Sequence, residues 1–117
     1  TKDGTCIRDY IHVEDLANAH IIGLNVLLKA KRTIIESYNL AMGKGFSVMD
    51  IINKIEEITS KKVNYTFGSR RLGDPETLIA DASKAFDELN WIANYRDLDI
   101  IIKHAWNWHK NLYKIEK

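Results

Sequence analysis

Apolar positions along this chain group into helical stripes separated by short alternating runs. Ile7-Arg8-Asp9-Tyr10-Ile11-His12-Val13 has the mixed alternation of a strand beside a polar site. Ala17, Ile21, Leu24 and Leu28 then recur at helical spacing, with Glu14 and Asp15 in the first turn, where the helix dipole favours acids. The spacing predicts a helix over 13–29, buried along that stripe. A basic stretch over 29–32 closes it, and Ser37-Tyr38-Asn39-Leu40 reads as a short strand before the Gly43-Lys44-Gly45 turn. Ser47 followed three residues later by Asp50 is a capping-box signature, and Val48, Ile51, Ile52 and Ile55 carry a helix to about residue 59.

Val63, Tyr65 and Phe67 alternate with polar residues, which predicts a half-buried strand over 63–67. It leads into Gly68-Ser69-Arg70-Arg71-Leu72-Gly73-Asp74-Pro75, a stretch of turn chemistry rather than core. Asp81 suits a cap for a helix with Ala82, Ala85, Phe86 and Leu89 on one face, ending near Asn90-Trp91. Asp97 suits a cap for another, with Leu98, Ile101, Ile102, Ala105, Trp108 and Leu112 as its stripe. Helices and strands do not alternate regularly, so the pattern predicts an α+β fold, one small domain over 1–117.

Composition narrows the possible functions. Seventeen basic residues against sixteen acidic ones leave a net charge of +1, so no broad field draws nucleic acid or an anionic membrane, and any anion site is local. The longest apolar runs are far too short to span a bilayer. A lone Cys6 forms no internal disulfide and points to a reducing compartment, the cytoplasm by default. Thr1 through Thr5 has no initiator Met and reads as a start in mid-protein.

The arginine loop is the strongest candidate for chemistry. A planar guanidinium matches phosphate oxygens in a fork, and glycine lets a ligand approach the backbone. The alternative is a surface loop whose arginines pair with Asp74 or Glu76. Arg8 and Tyr10 offer a second guanidinium and a hydroxyl, or else a plain ion pair at a strand edge. His12, His20, His104 and His109 lack the spacing of a metal-binding helix, so no metal site is expected. Trp91, Trp106 and Trp108 read as packing anchors, and Cys6 as a small buried hydrophobe. The glycines never form G-x-G-x-x-G, and the Tyr113/Lys117 pair at the end of the chain carries no catalytic weight.

Taken together, several segments resemble the UDP-glucose 4-epimerases of the extended short-chain dehydrogenase/reductase superfamily. They are Asp3-Gly4-Thr5-Cys6-Ile7-Arg8-Asp9-Tyr10-Ile11-His12-Val13, Tyr38-Asn39-Leu40, Arg70-Arg71-Leu72-Gly73-Asp74-Pro75, Ala80-Asp81-Ala82-Ser83-Lys84-Ala85 and Trp106-Asn107-Trp108-His109. The resemblance implies the small C-terminal substrate-binding domain of such an enzyme, with the Rossmann part absent. It implies that Arg8 and Arg71 hold the UDP diphosphate with Tyr10 beside it, that Leu72 and Gly73 shape the loop, and that Asp74 accepts from the ribose hydroxyls. Leu78 stands where relatives can carry a bulky Tyr near the sugar. The family's chemistry interconverts UDP-glucose and UDP-galactose: bound NAD takes the hydride from sugar C4 and returns it to the other face. The catalytic groups and the NAD loop would lie upstream, so this chain alone is expected to be inactive and to bind no NAD. Implied partners are the UDP-sugars, its own N-terminal domain and a second copy in a homodimer. Other readings are a neighbouring nucleotide-sugar epimerase or dehydratase, or a non-catalytic UDP-binding module.

Overall fold

The computed structural model describes residues 1–114, and Lys117 of the Tyr113/Lys117 pair lies outside them. A short sheet organises the functional end. Strand β1 (Ile7–Asp9) is its middle member. It pairs antiparallel with β2 (Gly45–Ser47) and parallel with β3 (Thr77–Leu78), so that Arg8 lies between Phe46 and Leu78. Gly45 is required by packing, because a Cβ there would meet Ile7 and Ile79 side-chain atoms at 2.5 and 2.6 Å. The arrangement is α+β, with helices α1 (Val13–Lys29), α2 (Val48–Thr59), α3 (Ser83–Leu89) and α4 (Leu98–Tyr113); α2 packs on β2, and α4 on α2.

Helix starts follow the predicted caps. Ser47 and Asp50 form both halves of the capping box at α2, and Asp97 accepts from Asp99 N–H at α4. Asp81 accepts from Ser83 N–H at 2.9 Å, one residue upstream of the α3 cap position at Ala82. At α1 the cap is His12, whose Nδ1 accepts from Glu14 N–H at 3.0 Å. Its Nε2 therefore carries the proton and donates to His104 Nδ1, also 3.0 Å away. The histidines so far placed are pieces of framework.

The core is small: Ala19, Ala85, Trp91 and Ala93, with Ile11, Ile22, Tyr38, Leu40, Ala82 and Leu89 packed around them. Trp91 is 2% exposed, and its indole N–H donates to Asp15 O at 3.0 Å. Asp15, 1% exposed, accepts from Asn94 and Tyr95 N–H at 2.8 and 2.9 Å, which locks the loop after Trp91 onto α1. The acid expected to serve the helix dipole also serves as a tertiary clamp.

Several expectations are corrected. Helix α1 has the predicted bounds, yet the face it buries carries Asp15 and Ala19, while Ile21, Leu24 and Leu28 are exposed. The wide indole of Trp91 needs a small residue opposite, and Ala19 supplies it. The α4 stripe is buried only in its first half: Leu98 and Ile102 are buried where α4 meets α2, whereas Trp108 and Leu112 are exposed, so Trp108 is no packing anchor within this chain. The first strand stops at Asp9 rather than Val13, and 37–40 is not a strand, its Tyr38 and Leu40 packing directly on the core. The stretch 63–67 is also not a strand. Val63 N–H goes to the Glu56 side chain rather than to a ladder, and Tyr65 and Phe67 stack edge to face in the open.

Candidate functional site

The site grows from β1 and the turn before β3. Ile7 N–H donates to Glu76 O at 2.8 Å, which hangs the arginine loop on the strand that carries Arg8. Within the loop, Asp74 N–H donates to Arg71 O at 3.3 Å and Gly73 has φ +79°, a four-residue turn that favours glycine in its third place. That turn sets the side chains of Arg71 and Asp74 face to face, with Arg71 Nη2 donating to Asp74 Oδ2 at 2.8 Å. Leu72 is left fully exposed at the turn's tip.

From β1, Arg8 Nη2 donates to the other oxygen of the same carboxylate, Asp74 Oδ1, while its Nη1 holds Ile7 O at 2.7 Å. Asp74 thus has one guanidinium on each oxygen. Arg70 Nη2 reaches Asp74 O at 3.4 Å, and Cys6 Sγ lies 3.7 Å from Asp74 Oδ2. The Arg71 guanidinium first, with Arg8 beside it, holds the Asp74 carboxyl below its ordinary value, and Asp74 raises Arg71 in return. Side-chain exposure separates the arginines: Arg8 is 24% exposed and Asp74 21%, but Arg71 is 83% exposed. Arg8 is held against the strand, while Arg71 stands almost wholly in solvent.

Tyr10 follows the strand, and its hydroxyl is pushed up by burial, with the Arg8 charge acting the other way. Leu78 is exposed beside Arg8 across the β1–β3 register. Asp9, the neighbour that sequence alone could pair with Arg8, instead accepts from Met42 and Gly43 N–H, both at 3.1 Å. Among the described residues Glu76 takes neither Arg70 nor Arg71, which turn to Asp74 instead. The Cys6 contact escaped sequence reading because nothing local links it to Asp74; it is a half-buried neighbour of the charged cluster rather than a core residue.

This cluster is an open ledge. Hollows of about 470 Å³ around Phe86, Trp91 and Arg96, and of about 800 Å³ between His12, Glu14 and Trp108, are lined by none of Arg8, Arg71 or Asp74. An anion on the ledge would be held by charge and forked hydrogen bonds rather than by enclosure. Among the described residues, no group of three or more His, Cys, Asp or Glu is placed to hold a metal ion, and no helix is long and apolar enough to cross a membrane.

No family model matches the chain. A UDP-glucose 4-epimerase of Lacticaseibacillus casei is 48% identical over 111 residues, 95% of this chain and 33% of that protein. Another, of Halalkalibacterium halodurans, is 46% identical over 110 residues, 94% of this chain and 32% of that protein. A crystal structure of a UDP-glucose 4-epimerase superposes with TM-score 0.85 at 45% identity, covering 100% of this chain and 35% of that one. The Bifidobacterium longum enzyme, solved with NAD+ and UDP, gives TM-score 0.81 at 38% identity, covering 95% of this chain and 32% of that one. The chain spans about a third of the length of the curated relatives it matches.

Proposed function

We propose that this chain, homologous along nearly its whole length to UDP-glucose 4-epimerases, is the UDP-anchoring C-terminal domain of such an enzyme, acting in cytoplasmic galactose metabolism. The observation that carries this reading is the convergence of Arg8 and Arg71 on one small anion, the Asp74 carboxylate, at the place where the sequence resemblance expects a diphosphate. Two guanidiniums that each donate to one oxygen of a carboxylate present the donors that phosphate oxygens need. On this reading Arg8 and Arg71 grip the diphosphate, Tyr10 lines it, Leu72 and Gly73 set the turn, and Asp74 takes the ribose hydroxyls. Binding energy from this non-reacting end would retain the sugar while its reacting end turns over.

NAD, held by the Bifidobacterium longum structure, would supply hydride transfer in the complete enzyme. The residues present do not fit it. Gly45 makes room for Ile7 and Ile79 rather than for a pyrophosphate, and no G-x-G-x-x-G loop occurs in the sequence. No hydride step is therefore assigned to this chain, whose partners on this reading are the N-terminal domain of the enzyme and a second subunit.

The test joins this chain to the remaining two-thirds of the Lacticaseibacillus casei enzyme and follows conversion of UDP-galactose to UDP-glucose. Turnover that falls with Arg71→Ala, through a UDP affinity weakened about tenfold or more, is the expected result. A folded, inactive chimera, or an Arg71→Ala chimera with unchanged UDP affinity, would refute the reading.

A further inference from the structure

We propose that the His12–His104 pair is a pH-sensitive latch: it ties the second half of α4 to the head of α1 while both rings are neutral, and a proton taken up by His104 releases it. The latch concerns the seating of α4 and stands apart from the UDP-anchoring reading.

The ring nitrogens of the pair are nearly all committed. His12 Nδ1 accepts from Glu14 N–H at 3.0 Å, and His12 Nε2 faces His104 Nδ1 at 3.0 Å with one proton between them. Among the described residues only His104 Nε2 is left without a partner, and in the neutral ring it carries that ring's own proton. A further proton therefore has two places to go. On His12 Nδ1 it would point at Glu14 N–H and undo the helix cap. On His104 Nδ1 it would point at His12 Nε2–H and undo the tie between the helices. Burial chooses between them: His12 is 3% exposed, where a cation is strongly disfavoured, whereas His104 is an exposed residue whose charge stays in water. The cap is kept and the tie is lost.

The packing of α4 shows what the tie holds. Its first half is seated on α2, with Leu98 and Ile102 buried, and beyond Ile102 no described residue of the helix is buried. There His104 meets the His12 ring edge-on at 5.1 Å and the Tyr95 ring at 5.4 Å. The hollow of about 800 Å³ beside the pair, lined also by Glu14, Trp108 and His109, gives a released half-helix room to move.

The surrounding charges leave the switch to these two rings. From α1, the Glu14 carboxylate accepts from the Tyr95 hydroxyl at 2.8 Å, and Asp15 accepts from Asn94 and Tyr95 N–H. Tyr95 itself stays neutral, its hydroxyl pushed up by Glu14. Among the described residues no acid forms an ion pair with either imidazole. On α4, the neighbours Lys103 and His109 cannot serve a His104 cation as counter-ion.

Ring nitrogen resonances of the unsubstituted chain, followed from about pH 8 to about pH 5, the range in which an imidazole changes its charge, test the latch directly. At the alkaline end a scalar coupling should join His12 Nε2–H to His104 Nδ1. It should vanish as His104 gains its proton, while the Glu14 amide keeps the shift of a capped N–H. A coupling absent at the alkaline end or surviving at the acid end, or a proton that enters His12 first, overturns the proposal. His104→Gln separates the latch from general effects of acid, because an amide oxygen can still accept from His12 Nε2–H yet takes up no proton. Amide exchange over the second half of α4, taken as the ratio of the unsubstituted chain to His104→Gln, should rise about fivefold from the alkaline to the acid end, the equivalent of one net hydrogen bond. A ratio that does not change with pH overturns the proposal. Should His104→Gln fail to fold, the ring resonances decide alone.

Discussion

Near the N-terminus one carboxylate, that of Asp3, gathers the Ser47 hydroxyl, the Thr5 N–H and hydroxyl at 2.8 Å each, and the Thr1 hydroxyl at 3.3 Å. These donors, Ser47 first, hold its pKa at about 2 against an ordinary 3.8. The folded chain therefore holds the Asp3 proton less tightly than the unfolded chain does. The stabilisation is complete above 3.8, shrinks as pH falls from there, and is lost once pH passes below about 2. Urea unfolding of the chain and of Asp3→Asn should show a constant stability difference above pH 4 that narrows steadily towards pH 2. A difference that stays flat over that range would show that the donors do not favour the charged form.

Among the elements, α2 depends most visibly on one residue. Ser47 Oγ accepts from Asp50 N–H at 2.9 Å and donates to Asp3, so the cap joins the helix start to the chain ahead of β1. Ser47→Ala should cost about 1–2 kcal/mol, read as a lower urea midpoint with an unchanged slope; a change in slope instead would mean that the unfolded ensemble had altered. That cap was legible in the sequence, as were the bounds of α1 and the Asp97 start of α4, because each is encoded in a few adjacent residues. The face buried by α1 was not legible, since its apolar residues surround the helix and only the position of Trp91 decides which side is covered. Strands β2 and β3 are too short to show a period, and are defined by what lies beside them rather than by their own sequence. Of the site, the residue types and the turn at Gly73 were readable. The sharing of one carboxylate by arginines from two distant segments required the fold, as did the clamp made by Asp15.

The molecule as a whole exposes more than a globule of its size needs to. Its accessible surface is 9119 Å² at 13.5 kDa, where a self-contained monomer of that mass shows about 6,500 Å². Its radius of gyration is 17.4 Å, against about 13 Å for a compact chain of this length. The roughly 2,600 Å² of excess on this one chain is at least as large as one side of an obligate interface. Much of the uncovered surface is apolar: Val13, Ile21, Leu24 and Leu28 on α1, and Trp108, Leu112 and Tyr113 on α4. Water is a poor partner for such faces, and in a solution of this chain alone the available cover is another copy. Light scattering should therefore give a mass above 13.5 kDa that rises with concentration. Replacing Leu24 and Leu28 on α1 by Lys should lower it while leaving helix content unchanged, since neither side chain is buried in the fold. A monomer at all concentrations would mean that these apolar faces remain in water, and that the excess surface reflects an extended shape rather than a missing contact.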